Sequence, residues 1–240
     1  MFEDWIAERL EIVKPNTVLR DFTLLKPIFA AAARKAGLKY SPLEHIRPPR
    51  AIDERVRRIK ADEEEFLFGE LSSAKDPLVF LTARFALETG CRRGECLRLE
   101  WQDFDPNRGT IWLRDAKNGR GRHILLTLVA QNIVESLTRT GGDTKIFQVT
   151  GNALKKAFEN ARGRAAKRAD RLGRSDLPGV ATLRWHDFRH EAISRCFDAG
   201  WTSEQVMDFS GHVDMKGLLR YRHPKVDASV ARLRALAAGT

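Results

Sequence analysis

Apolar residues return with the spacing of an α-helix along most of this chain. "EDWIAERLEIVK" has the pattern of a short amphipathic helix, and Leu19, Phe22, Leu25, Ile28, Phe29 and Ala32 mark one face of a longer one. Thr17 is the expected cap of that second helix and Ala36 its last residue; Pro27 should kink it and Gly37 end it. The paired prolines in "HIRPPRAIDERVRRIK" favour extended backbone, so residues 47–60 read as a linker. Beyond it, Asp62 with Glu65 three positions on has the form of a capping pair for "ADEEEFLFGEL". "DPLVFLTARFALETG" is a buried helix with Pro77 in its first turn and Gly90 at its end. "RGECLRLEWQDFD" reads as one further helix before the turn "DPNRG".

The period changes once. "TIWLRDAKNGRGRHILLT" holds two β-compatible runs around Asn118-Gly119, a strong hairpin signal. Helical spacing returns from Gly151 to Gly173, and again in "LRWHDFRHEAISRCFDAG", where Phe188, Ala192, Ile193, Cys196 and Phe197 face inward and Gly200 stops the helix. Thr202 and Gln205 form a capping box for a short helix to Ser210, and "MKGLLRYR" is one more. The expected fold is mainly α with a small antiparallel β-sheet, an α+β chain. It divides into a short helical unit (1–46), the linker (47–60), a larger domain (61–225) and an amphipathic tail (226–240) carrying Val226, Val230, Leu233 and Ala237 on one face. No internal repeat occurs, and neither GxGxxG nor GxxxxGK[ST], which argues against a doubly wound nucleotide-binding fold.

Charge sharpens this picture. Against 32 Asp and Glu stand 42 Lys and Arg, a net charge of +10, which favours a polyanionic partner: nucleic acid first, an acidic membrane surface second. The bland alternative is a basic but otherwise ordinary enzyme. No run approaches the roughly 18 apolar residues of a membrane span, and the acidic N-terminus lacks the form of a secretory signal. Cys91, Cys96 and Cys196 are odd in number and suggest neither a disulfide framework nor a zinc site, so a reducing cytoplasm is expected.

Three stretches hold candidate chemistry. In "HDFRH", His186 and His190 are spaced as two metal ligands on one helix, yet Arg189 lies between them and no HExxH glutamate is present. Histidines satisfied in a core are the ordinary alternative. An arginine flanked by imidazoles near a helix start also suits an anion. In "TGCRRGE", Arg92 and Arg93 stand at a helix start, where two solvated arginines would be the common meaning. Lys117 beside the Asn-Gly turn would normally just be solvated, although a hairpin tip can enter a groove.

Taken in order, TGxRxxE, a hairpin lysine, HxxRH, GH, and a tyrosine nine residues after that last histidine resemble the tyrosine recombinase (phage integrase) family over about residues 60–225. The resemblance implies a catalytic domain in which Arg92 and Arg189 are the two catalytic arginines, Lys117 the hairpin lysine, His186 the first position of HxxR, His212 the later histidine and Tyr221 the nucleophile. Glu95 would be a supporting acid and His190 a supporting histidine. It also implies double-stranded DNA with specific recombination sites as substrate, a 3′-phosphotyrosyl intermediate made with no metal, cofactor or ATP, a monomer free in solution that assembles as a homotetramer on DNA, and a cytoplasmic, nucleoid-associated bacterial protein with no membrane. Three features depart from the family: Cys91 in place of an aliphatic residue, "YRHP" where relatives have "YTHL", and a short N-terminal unit.

These residue types suit metal-free cleavage of a phosphodiester. Arginines donate twice to oxygens where charge builds, and a lysine lowered by neighbouring cations can protonate the leaving oxygen. His186 is the candidate proton acceptor near the phenol, His212 a donor to phosphate. The basic helix, with Lys155, Lys156, Arg162, Arg164, Lys167 and Arg168 and, further on, Arg171 and Arg174, faces only Glu159 and Asp170 locally and is the candidate DNA-backbone contact; a solvated helix face is its ordinary alternative. The tail packs in cis or, as the resemblance implies, on a neighbouring subunit. Two other functions compete: a type IB-like topoisomerase, which would relax plasmid lacking any specific site, and a catalytically idle DNA-binding regulator, which would lack the full set of site residues.

Overall fold

The computed structural model describes residues 2–50, 55, 57–114, 121–139, 142, 144–221, 230 and 234. The chain divides into two compact units, Met1–Arg55 and Val56–Thr240.

In the first unit, α1 (Phe2–Ile12) packs on α2 (Pro15–Lys35). Phe2 meets Phe29 edge-on with ring centres 5.0 Å apart, and Arg9 donates to Asp21 at 2.6 Å. Val18, Phe22 and Ala33 are the buried side chains of α2. The helix begins at Pro15, two residues before the expected Thr17 cap. Proline's fixed φ suits the first helical position, where its missing N–H is no loss. Pro27 lies inside α2 without ending it, and Gly37, at φ +67°, closes it as anticipated.

The second unit opens with α3 (Ala61–Ser72) and α4 (Pro77–Thr89). Asp62 and Glu65 do not cap α3. Glu63 does, accepting the Lys60 N–H at 3.1 Å, because it stands three residues after the true boundary. The cap of α4 is Asp76, which accepts from Leu78 N–H, with Pro77 in the first helical position and Gly90 in the left-handed conformation at its end. The stretch read as one helix from residue 93 to 105 is instead α5 (Arg93–Cys96), a 3₁₀ turn at Trp101–Asp103, and β1 (Phe104–Asp105). Its middle is claimed by distant backbone: Ile146 N–H donates to the Leu99 carbonyl and Trp101 N–H to that of Thr144, both at 2.9 Å.

β1 pairs antiparallel with β2 (Thr110–Leu113), which pairs antiparallel with β3 (Arg122–Leu125) in a register setting Leu113 opposite Arg122. The turn containing Lys117 and Asn118-Gly119 lies outside the described residues, as does the tail apart from Val230 and Arg234. After β3 come α6 (Leu128–Ser136), which the sequence reading missed, then α7 (Gly151–Arg171), α8 (Trp185–Asp198), α9 (Ser203–Ser210) and the single turn α10 (Lys216–Leu219). Thr202 and Gln205 box the start of α9 as expected. Among the described residues, no helix is long and apolar enough to cross a membrane.

Two apolar clusters frame the site to be described. The larger joins α3, α4, α6, α7 and the sheet around Phe85, Phe147, Leu154, Phe158 and Phe188. A smaller one gathers Ala192, Ile193, Val206, Phe209, Leu218 and Tyr221 from α8, α9 and α10. Leu154, Phe158, Ala161, Ala165 and Ala169 bury one stripe of α7, which packs on α3. The last residues of the segment read as linker are tied into this unit: Arg58 grips Glu191 of α8 through two nitrogens at 2.9 and 3.1 Å, and Ile59 N–H donates to the same carboxylate at 2.9 Å.

Candidate active site

Arg189 is the centre of the arrangement. It is only 2% exposed, and its guanidinium donates to the Gly90 carbonyl at 2.8 Å and the Ser210 carbonyl at 2.6 Å. Those carbonyls end α4 and α9, where helix dipoles place partial negative charge, so one cation fastens two helix C-termini. Burial, then the nearby Arg92, lower its pKa to about 10, which still leaves it charged at neutral pH.

Arg92 precedes the first residue of α5. Its backbone N–H and its guanidinium both donate to Glu95, at 3.0 and 2.6 Å. Glu95, 1% exposed, also accepts from Arg122 at 3.0 Å. Burial pushes the Glu95 carboxyl up, but the Arg122 charge, the Arg92 N–H and the Arg92 guanidinium more than offset this and hold it below the ordinary value of 4.5. Glu95 therefore contributes stability that is present above that value and is lost as pH falls through the lower folded one. Glu95→Gln should cost about 3 kcal/mol at pH 7, in the range of a broken buried pair. In urea melts taken at successively lower pH, the gap between wild type and variant should close; a gap that stays constant into the acid range would overturn this reading.

Sequence reasoning passed over Arg122. Besides Glu95 it donates to the Phe209 carbonyl at 3.0 Å, so it links α5 to the end of α9. Its side chain crosses Gly211, where a Cβ would lie 2.4 Å from Arg122 Cδ; Gly211 also has φ +68°. Only glycine satisfies both demands. The signal available in the sequence was an arginine three residues after the predicted Asn118-Gly119 turn, with partners 27 and 87 residues away.

The imidazoles line up beside the tyrosine. His186 and His190, one turn apart on α8, meet edge-to-face with ring centres 4.7 Å apart. His190 lies against Tyr221 at 5.2 Å, and His212 at 6.2 Å. The rings facing Tyr221 are thus His190 and His212, with His186 reaching the group through His190. His190 Nδ1 is buried with no hydrogen-bond partner. Desolvation first, then the His186 ring, bring the His190 pKa to about 4. His212 is likewise lowered to about 4, by desolvation and then by Arg189, Arg92 and Arg220. His186 is exposed at its outer edge and lowered by desolvation, Arg189 and Arg92. The Ser210 hydroxyl donates to the Val206 carbonyl and lies 2.6 Å from His212 Nδ1, so the proton in that second contact is the imidazole's.

Tyr221 is 3% exposed. Burial raises its pKa, while Arg189, Arg220 and Arg92 pull it down; the balance remains above the ordinary phenol value of 10.0. The structure therefore brings Arg92, Glu95, His186, Arg189, His190, His212 and Tyr221 together. Lys117 lies outside the described residues.

The basic helix needs correction. Its cations do not face only Glu159 and Asp170: Arg164 donates to Glu70 of α3 at 2.9 Å, and Arg174, beyond the helix, to Asp62 and Asp176. Arg162 donates to the Leu183 carbonyl and Arg168 sits over the Phe66 ring at 5.1 Å. Lys155, 3.9 Å from Glu159, and Lys156 and Lys167 stay exposed.

The model of the phage integrase family matches residues 57–227. The chain belongs to the phage integrase family. Among curated relatives, a shufflon-specific DNA recombinase of Escherichia coli is 32% identical over 224 residues; the match takes in 92% of this chain and 54% of that protein, so this family member spans about half the relative's length. Two solved integrases share its fold. One is the Tn1549 transposon integrase in complex with circular intermediate DNA (TM-score 0.70, 18% identity, 97% of this chain and 84% of that one). The other is a lambda integrase tetramer bound to a Holliday junction (TM-score 0.65, 15% identity, 87% and 62%).

Proposed function

We propose that this integrase-family chain is a site-specific DNA recombinase that cuts and rejoins DNA through a tyrosine–phosphate bond. The observation that carries the reading is the placement of Tyr221 against His190 and His212, within the field of Arg92 and the buried Arg189.

In this reading the scissile phosphate enters beside Tyr221, and Arg92 and Arg189 donate to its non-bridging oxygens. Both guanidiniums are held in place before DNA arrives, by Glu95 and by two helix-terminal carbonyls, so little reorganisation accompanies the reaction. The Tyr221 phenol is protonated in the free protein, so attack requires a base; the imidazoles are neutral at pH 7 and can serve. The Tyr221 oxygen bonds to phosphorus, the 5′ oxygen leaves, and Lys117 supplies its proton. The aryl phosphate ester retains the bond energy for rejoining, so ATP is not required. The cations supply the charge stabilisation that a metal would otherwise give. The likeness to a tetramer on a Holliday junction supports strand exchange in a four-subunit assembly on two DNA sites. The docking of the tail, a phage or other mobile-element setting and the nucleoid location belong to the same proposal, as does the division into a DNA-binding unit, linker and catalytic domain.

The test is a nicked suicide duplex carrying the cognate site, incubated with the protein in EDTA. A denaturation-resistant protein–DNA adduct is expected, and sequencing its DNA identifies the site. Relaxation of plasmid without any such site would favour a topoisomerase; DNA binding with no adduct would favour an idle regulator.

A further inference from the structure

A second cationic cleft is lined by residues of α5, of α7 and of the start of α8. It is a cavity of about 130 Å³ lined by Arg93, Lys155, Arg162, Arg184, Glu159 and the rings of Phe158 and Trp185. Four cations meet there with one carboxylate, and that carboxylate lies 3.9 Å from Lys155. Elsewhere in this unit guanidiniums find acids: Arg58 holds Glu191, Arg114 holds Asp103, Arg164 holds Glu70 and Arg195 holds Glu64. Arg93 and Arg184 have no ionic partner among the described residues. Like charges gathered in a cleft repel one another, and the arrangement is stabilised when an anion enters.

A second observation is independent of the charges. Trp185 lines the cleft, and its indole N–H is buried without a hydrogen-bond acceptor. A buried donor left unpaired costs free energy, and an acceptor brought from outside the chain would remove that cost. Indole N–H can only donate, so that partner is an acceptor. The ring is wedged edge-on between Phe158, at 5.6 Å, and Phe188, at 5.3 Å, which fixes its direction.

The cleft's position names the anion. Arg93 directly follows Arg92, and Trp185 directly precedes His186, so two walls of the cleft are each one residue from the proposed catalytic set. Phosphates of one DNA strand advance about 3.4 Å per nucleotide along the helix axis. We propose that this cleft binds a DNA backbone phosphate within about two nucleotides of the one attacked, with Arg93 and Arg184 as its charged partners and the Trp185 N–H as a neutral donor. Such a contact carries no sequence information; it fixes the register in which the scissile phosphate is offered to Tyr221. The inference rests on the proposed function for its choice of anion.

Two measurements test it. The first uses a short duplex of arbitrary sequence and requires no cleavage. Each phosphate contact contributes about 0.9 to the slope of log affinity against log salt. Arg93→Gln with Arg184→Gln should make the slope shallower by about 1, because both residues serve one phosphate. Both side chains lack ionic partners, so the melting temperature should not fall; if the double variant nevertheless misfolds, Trp185→Phe replaces it. That change keeps the aromatic packing and removes only the N–H, and should weaken binding roughly tenfold, the worth of a hydrogen bond to a charged group. An unchanged slope in the double variant, or unchanged affinity in Trp185→Phe, overturns the proposal.

The second measurement uses the site recovered from the adduct, with single phosphates replaced by neutral methylphosphonates. One position close to the nick should weaken wild type but cause no further loss in the double variant. Equal losses in both proteins at every position would overturn the assignment of the phosphate. If no adduct forms with any DNA, the recombinase reading fails while the salt-slope result still decides whether the cleft holds phosphate.

Discussion

Tyr221→Phe should abolish the covalent adduct on the nicked suicide duplex while leaving DNA affinity within about threefold, since no charge is lost. The substitution removes one oxygen and keeps the ring. That ring is part of the cluster with Ile193, Val206, Phe209 and Leu218, so the variant should melt with the wild type. The other tyrosine, Tyr40, is 52% exposed and belongs to the first unit, so residual adduct cannot be mistaken for Tyr221 chemistry. Adduct from the Phe variant would remove Tyr221 as the nucleophile and with it the proposed reaction.

Arg189→Lys should reduce single-turnover cleavage by about 10²–10³, the cost of losing one preorganised donor to developing charge. Charge is retained in this variant, and geometry is what fails. A guanidinium can bridge the Gly90 and Ser210 carbonyls and still present N–H groups to a phosphate; an ammonium is a point charge on a shorter reach. One buried carbonyl is then left without its donor, and about 1–3 kcal/mol of stability should be lost as well. Denaturant melts measure the second effect and rapid-quench cleavage under saturating DNA the first. If stability falls and the cleavage of bound DNA does not, Arg189 is a structural cation only.

The sequence carried the polar site further than it carried the fold. Arg92, Arg189, His212 and Tyr221 stand in motifs whose order resembles that of the tyrosine recombinases, which is what pointed to them, and the structure gathers them. Arg122 could not be found that way, because what distinguishes it is two partners supplied by α5 and α9. The basic helix shows the same limit in reverse. Its sequence offers two acids, but Glu70 comes from α3, 94 residues away, and takes up Arg164. Helices failed where local propensity met distant backbone. Residues 93–105 carry helical periodicity, yet the carbonyl of Leu99 and the N–H of Trp101 are engaged by residues 144–146. Caps were legible where a good capper by type stands at the true boundary, as with Thr202, and not at α2, where Thr17 lies inside the helix and Lys14 occupies the cap position. They were misplaced at α3, where Lys60 occupies the cap position and the acid reaches back to it.

The cations proposed to hold phosphate and the tyrosine are fastened by different forces. Arg92, Arg122 and Arg189 are held by charge-assisted hydrogen bonds to Glu95 and to helix ends. Among the described residues, the hydrogen bonds of 213–221 run only within that segment, and Tyr221 is seated by apolar contact with α8 and α9. Hydrophobic stabilisation weakens on cooling, whereas short ionic contacts do not depend on it. In the cold, then, a chain that works as proposed should keep its hold on DNA longer than its hold on its own tyrosine, and its strand cleavage should fall off with temperature more steeply than its binding.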